Sequence, residues 1–290
     1  MIRRLGFPQH LTRTVDRRPT RVAYALPTFF TAGNMFLGFV SVMKSFEGAM
    51  AASSLAFGWN AHFEVAAKMI GIAVLLDGLD GRIARMTNTT SDFGREMDSL
   101  ADAITFGLAP AVLAFAWGFH SVDTSGNEFI RDHLLRLGYF VSFLFLLCGT
   151  LRLARFNITT NPVPKNPGRP DRKYFVGLPI PAGAGLVAAV VYASNSMPLR
   201  LWPLAVGWLL LLAFISFLMI CTWRYRSFKD LNLKRPHSPV IVVVIGSLIY
   251  LVWNWPQAML LLLGILYVGS GVMVRAGGVL RRLIRRSGAA

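Results

Sequence analysis

Charge is scarce in this chain. Asp, Glu, Lys and Arg make up 15% of its 290 residues and hydrophobic residues 54%, whereas an average soluble domain is roughly 25% charged. Mean hydropathy is +0.51. So little polar surface cannot cover a water-soluble globule, and a bilayer must be the solvent for most of the chain. Cysteine is scarcer still. Cys148 and Cys221 lie far apart in apolar runs, which excludes a zinc-ligand spacing and a disulfide framework. Acidic residues are few: 14 against 30 Lys and Arg, a net charge of +16. In a soluble protein that imbalance points to nucleic acid. Here no nucleic-acid module is visible and the basic residues are spread over five segments, so no nucleic-acid partner is expected. The five histidines are scattered without ligand spacing.

What the chain has instead is long apolar runs from end to end. A membrane helix needs about 20 mostly apolar residues. That window predicts an all-α, polytopic integral membrane protein with about eight transmembrane helices, over 26–45, 63–86, 95–119, 133–157, 178–194, 201–222, 238–254 and 257–275. A basic arm (1–25) precedes this membrane domain (26–275), and a basic tail (276–290) follows it. The arm is too charged for the apolar core of a signal peptide. Six basic residues fall in the arm and three between spans two and three. Six more lie from the end of span four to span five, five after span six and five in the tail, so 25 of the 30 share one side. The positive-inside rule makes that side cytoplasmic and puts both termini there. The same charges attract anionic membrane lipids, at about 1 kcal/mol per residue near the surface.

The acidic residues are concentrated. Asp77, Asp80, Asp92, Glu96, Asp98 and Asp102 fall within one short stretch. A charge at the centre of a membrane helix costs about 2.5–3.5 kcal/mol on insertion scales, so such residues face a cavity or a partner. Asp77 and Asp80 are i,i+3, and Asp98 and Asp102 are i,i+4, so each pair shares a helix face. Span two runs inward and span three returns, so the four carboxylates converge near the cytoplasmic end of a helical hairpin. Asp92, just ahead of span three, suits an N-cap. Four carboxylates brought together repel unless a cation sits among them, and hard oxygen ligands select Mg²⁺, Mn²⁺ or Ca²⁺. Spacing alone leaves proton relay, ion conduction and helix–helix ion pairing open.

The complete pattern is more specific. It reads Asp77-Gly78-Leu79-Asp80-Gly81-Arg82-Ile83-Ala84-Arg85, eight residues, then Gly94-Arg95-Glu96-Met97-Asp98-Ser99-Leu100-Ala101-Asp102. This resembles the motif D-x2-D-G-x2-A-R-x8-G-x3-D-x3-D of the CDP-alcohol phosphotransferases at all eight fixed positions. The resemblance covers roughly residues 26–275 and implies a CDP-linked donor and a divalent metal, Mg²⁺ or Mn²⁺, with Ca²⁺ another acceptable occupant. It implies Asp77, Asp80 and Asp98 as metal ligands. Asp102 would complete the metal site and serve as general base. Gly81, Ala84 and Arg85 would lie against the CDP moiety, with Thr31 and Asn34 of span one helping to hold the nucleotide. It further implies a homodimer in a bacterial plasma membrane, with the active site facing the cytoplasm.

The motif leaves the acceptor alcohol open. Met86-Thr87-Asn88-Thr89-Thr90-Ser91, Leu151-Arg152-Leu153-Ala154-Arg155-Phe156-Asn157 and Gly177-Leu178-Pro179-Ile180-Pro181-Ala182 resemble the serine-using branch, as does the count of eight spans. The resemblance thus implies CDP-diacylglycerol and L-serine as substrates. Arg152 and Arg155 are i,i+3 at the cytoplasmic end of span four, and a guanidinium matches carboxylate or phosphate through paired hydrogen bonds. Either arginine alone would equally suit positive-inside anchoring. Other acceptors, such as glycerol 3-phosphate or choline, and a membrane cation transporter are the competing expectations.

The basic asymmetry yields a topology test. In a background lacking Cys148 and Cys221, single cysteines at Pro164 and Ser121 should react with impermeant thiol reagent from opposite sides of the membrane. Labelling of both from outside would sink the eight-span arrangement.

Overall fold

The computed structural model describes residues 21–54, 59–87, 92–124, 126–160, 174–226 and 239–287. Nine α-helices account for most of them: α1 (Arg21–Ser54), α2 (Ala61–Thr87), α3 (Asp92–Asp102), α4 (Ala109–Gly118), α5 (Glu128–Thr160), α6 (Ile180–Ala193), α7 (Trp202–Ile220), α8 (Pro239–Asn254) and α9 (Pro256–Ser287). A π-helical segment, Ala103–Leu108, joins α3 to α4 without a break, so that the three form one rod. The eight apolar runs of the sequence therefore appear as eight helical rods. Helix continues beyond the expected domain limits at both ends, since α1 begins at Arg21 and α9 runs to Ser287.

Five helical stretches are long and apolar enough to cross a membrane: Phe29–Ala52, Phe93–Gly118, Glu128–Ile158, Trp202–Ile220 and Pro256–Arg275. α2 has the length but carries Glu64, Lys68, Asp77 and Asp80. α6, with 14 residues, and α8, with 16, are apolar but short. At 1.5 Å per residue they rise only about 21 and 24 Å, less than the roughly 30 Å hydrocarbon layer. Trp255 alone joins α8 to α9. Its N–H closes the last turn of α8 on the Leu251 carbonyl (2.9 Å), and its own carbonyl accepts from Met259 N–H (3.0 Å).

The exterior confirms the solvent. Phe36, Phe143, Leu210, Ile249 and Trp253 are all more than half exposed, a density of apolar surface that would aggregate in water. The buried core runs between the helices. It contains Phe63, Ile70, Phe106, Leu113, Trp117, Phe145, Ile180, Leu212 and Ile215. α1 packs along α2, α5 along α7, α2 against α6, and α6 against α9. Because lipid supplies no hydrophobic drive between helices, polar side chains help to hold them. Ser41 Oγ donates to the Ala66 carbonyl (3.0 Å) across α1 and α2. Trp208 Nε1 donates to the Ala114 carbonyl (3.0 Å) across α7 and α4. At the far end of α2, Glu64 pairs with Lys68, as their i,i+4 spacing predicts.

One element is not visible in the apolar pattern. β1 (Tyr174–Val176) and β2 (Arg224–Arg226) form a short antiparallel ribbon, with Phe175 opposite Tyr225. It ties the entry to α6 onto the exit from α7, and Gly177 N–H donates to the Trp223 carbonyl (2.8 Å) just beyond it. Gly177 has φ +80°, and a Cβ there would stand 2.5 Å from the Met219 carbonyl oxygen. Only glycine fits both demands. Gly177→Ala should therefore cost about 1–3 kcal/mol, read as a lower melting temperature of the detergent-solubilised protein. An unchanged melting temperature would contradict this account of the turn.

Candidate active site

α2 and α3 carry their carboxylates to one place. Asp77 lies on α2, and Asp98 and Asp102 lie one turn apart on α3. All three are half-buried, and they offer ligand oxygens within 4.8 Å of one another. Hence three of the four expected carboxylates converge. Asp80, Gly81, Ala84 and Arg85 follow on the last turns of α2, where the described residues give backbone only. α3 begins at Asp92, whose side chain also lies outside the described set.

The cluster opens into a cavity of about 250 Å³. α3 lines it with Arg95, Asp98, Ser99 and Asp102, and α2 contributes Asp77. α5 adds Arg152, Leu153, Phe156 and Asn157, and Pro179, Ile180 and Pro181 close it at the start of α6. Arg152 interacts electrostatically with Asp102. Arg155, one turn along, is exposed and is not part of the lining. The i,i+3 spacing that allowed both arginines to face one cavity thus delivers one of them. Asn157 Nδ2 donates to Ser99 Oγ (2.8 Å), and Ser99 Oγ donates to the Arg95 carbonyl (3.0 Å), which pins α5 to α3 at the cavity floor. Ser99 carried no sequence signal beyond its place beside Asp98.

Thr31 and Asn34 lie buried on α1 and are not in the cavity lining. α1 packs against α3 and the π-helical segment, and Thr105 Oγ1 of that segment donates to the Asn34 carbonyl (3.1 Å). The segment begins immediately after Asp102. A π-turn shifts the phase of the helix, a distortion often found at functional sites. It turns Thr105 toward α1 while Asp102 keeps its aim at the cavity. A larger cavity, about 500 Å³, lies at the α8–α9 corner among Leu248, Ile249, Val252, Trp253 and Pro256. Its lining has no titratable group and can do no acid–base or phosphate chemistry.

The donor set fits a divalent cation. Three carboxylates this close repel one another in a partly desolvated site, and a hard cation with oxygen ligands relieves that repulsion. The fold and site define a polytopic membrane protein with an acidic, cation-binding centre at the end of a helix pair. A sequence model of the CDP-alcohol phosphatidyltransferase family matches residues 24–268, and the chain belongs to that family. Curated relatives agree in kind. A CDP-diacylglycerol–serine O-phosphatidyltransferase of Helicobacter pylori is 35% identical over 80% of this chain and 84% of its own. One of the same name from Bacillus subtilis is 28% identical over 70% and 91%. An archaetidylserine synthase of Methanothermobacter thermautotrophicus is 34% identical over 59% and 57%.

The cluster predicts metal binding that can be measured without turnover. Mn²⁺ titrated into the purified protein should lose its free-ion electron paramagnetic resonance signal as it binds. Asp98→Asn should weaken that binding strongly while the protein stays folded. Equal Mn²⁺ uptake by the two proteins would remove Asp98 from the ligand set.

Proposed function

We propose that this protein is a CDP-diacylglycerol–serine O-phosphatidyltransferase, making phosphatidylserine and CMP from CDP-diacylglycerol and L-serine. The observation that carries the proposal is one cavity lined by both the acidic cluster and Arg152, in a chain whose family and relatives act on CDP-linked alcohols. Asp102 accepts the proton of the serine hydroxyl. The hydroxyl oxygen then bonds to the phosphorus that carries the diacylglycerol, and the bond from that phosphorus to the CMP oxygen breaks. Arg152 holds the serine carboxylate by paired hydrogen bonds, and exposed Arg155 meets phosphate at the rim. Gly81, Ala84 and Arg85 lie along the CDP moiety, and Thr31 and Asn34 support the nucleotide side from α1. Asp77, Asp80, Asp98 and one oxygen of Asp102 would hold Mg²⁺ or Mn²⁺. Such a cation, when bound, neutralises charge on the diphosphate and on the departing CMP. The acyl chains stay in the bilayer. In this proposal all eight rods cross a bacterial plasma membrane, both termini and the site face the cytoplasm, and the protein works as a homodimer.

The decisive experiment is an acceptor panel with CDP-diacylglycerol, reading CMP release. Serine should support turnover, whereas ethanolamine, glycerol 3-phosphate and choline should be poor. Asp102→Asn should lower turnover roughly 10²–10⁴-fold, the usual scale for a lost general base, and EDTA should silence the wild type. Arg152→Lys keeps the charge and loses the planar fork. Its serine KM should rise roughly ten- to 150-fold, the worth of a charge-assisted hydrogen bond, with little change toward CDP-diacylglycerol. Ethanolamine working as well as serine would overturn the acceptor assignment. Metal uptake by vesicles without CDP-diacylglycerol would favour a transporter.

A further inference from the structure

Behind Arg152 stands a pair of tyrosines that the proposed chemistry does not use. Tyr225, the middle residue of β2, is completely buried, and its hydroxyl has no hydrogen-bond partner. Burial pushes its phenol above the ordinary value, so it stays neutral. Its ring lies flat against the backbone of α9 at Gly271, where a Cβ would stand 2.2 Å from Cε1. One turn earlier on α9, Tyr267 is half-buried with its ring centroid 6.0 Å from that of Tyr225. Tyr267 interacts electrostatically with the Arg152 guanidinium. Arg152 in turn has a buried Nε without a partner and feels Asp102 on its other side. The ribbon therefore packs Tyr225 under α9, Tyr225 backs Tyr267, and Tyr267 reaches Arg152.

This arrangement answers a physical problem. An arginine within reach of a carboxylate in a partly desolvated cavity tends to collapse onto it. Such an ion pair between Arg152 and Asp102 would consume at once the cation that binds the acceptor and the carboxylate that takes its proton. A fixed neutral dipole on the far side of the guanidinium opposes the collapse without adding charge. We infer that Tyr267, backed by Tyr225, is a positioning residue that holds Arg152 away from Asp102 and so sets the affinity for the acceptor's anionic group. The inference rests on the assignment of Arg152 to the acceptor carboxylate. It gives α9 and the ribbon a part in acceptor recognition, although neither lines the cavity.

The test uses the purified full-length protein with CDP-diacylglycerol in mixed micelles, measuring CMP release against serine concentration. Tyr267→Phe keeps the ring and removes the hydroxyl. Serine KM should rise roughly two- to twelvefold, the scale of one neutral hydrogen bond, while kcat and the KM for CDP-diacylglycerol hold. Recovery of full turnover at high serine distinguishes this from misfolding, which saturation cannot repair. In the double variant with Arg152→Lys, the Tyr267→Phe effect should vanish, because coupled residues are not additive. Full multiplication of the two effects, a wild-type serine KM in Tyr267→Phe, or an equal rise in both KM values would overturn the inference. If Arg152→Lys raises serine KM and Tyr267→Phe does not, only this inference fails. If Arg152→Lys itself leaves serine KM unchanged, the acceptor assignment beneath it fails.

Discussion

Repulsion among Asp77, Asp98 and Asp102 is the constraint on which the rest of the structure depends. Carboxylate oxygens within 4.8 Å of one another in a half-buried site are unfavourable unless positive charge compensates them. The fold meets that condition by bringing two helix faces, each with its own periodic pair of acids, to one end of a hairpin. Arg152 is the nearest described counter-charge, and it arrives from α5 on the opposite wall. One arginine does not balance three carboxylates, and the remaining negative charge makes the place suitable for a hard divalent cation.

Holding these groups requires rigid neighbours, and the chain provides them through close helix contacts. Asn157 and Ser99 link α5 to α3 beside the acids. Thr105, displaced by the π-helical segment, links the same rod to α1. The ribbon and Gly177 clamp the start of α6 against the end of α7, which keeps Pro179, Ile180 and Pro181 in place as one wall of the cavity. The apolar exterior works in the same direction. Lipid surrounds the helices, and no polar group deep in the bundle can exchange its partner for water. The site is therefore confined to the end of the bundle, where a water-soluble acceptor and a membrane-bound donor can meet.

Much of this was legible in the residues. Apolar run length located all eight rods, because a helix in lipid must be apolar over a fixed rise. The i,i+3 and i,i+4 spacing of the acids placed them on shared faces, since helix geometry is local and nearly invariant. Run length was less able to say which rods are long and apolar enough to cross. α2 spends part of its apolar character on its acids, and α6 and α8 end early. Arg155 shows the limit of spacing arguments, because three residues on a helix permit a shared face but do not aim a flexible side chain. The exposure of Arg155 depends on where the neighbouring walls stand.

By itself, the sequence determined the all-helical membrane character, the place of the acidic centre and the family chemistry that goes with it. These follow from composition and from local periodicity. The tertiary structure alone decided that Thr31 and Asn34 pack on the far side of the π-helical segment, that Ser99 and Asn157 join across the cavity floor, and that Tyr225 and Tyr267 stand behind Arg152. Those contacts link residues far apart in the chain. They depend on the crossing and phase of whole helices, which no spacing within a single helix specifies.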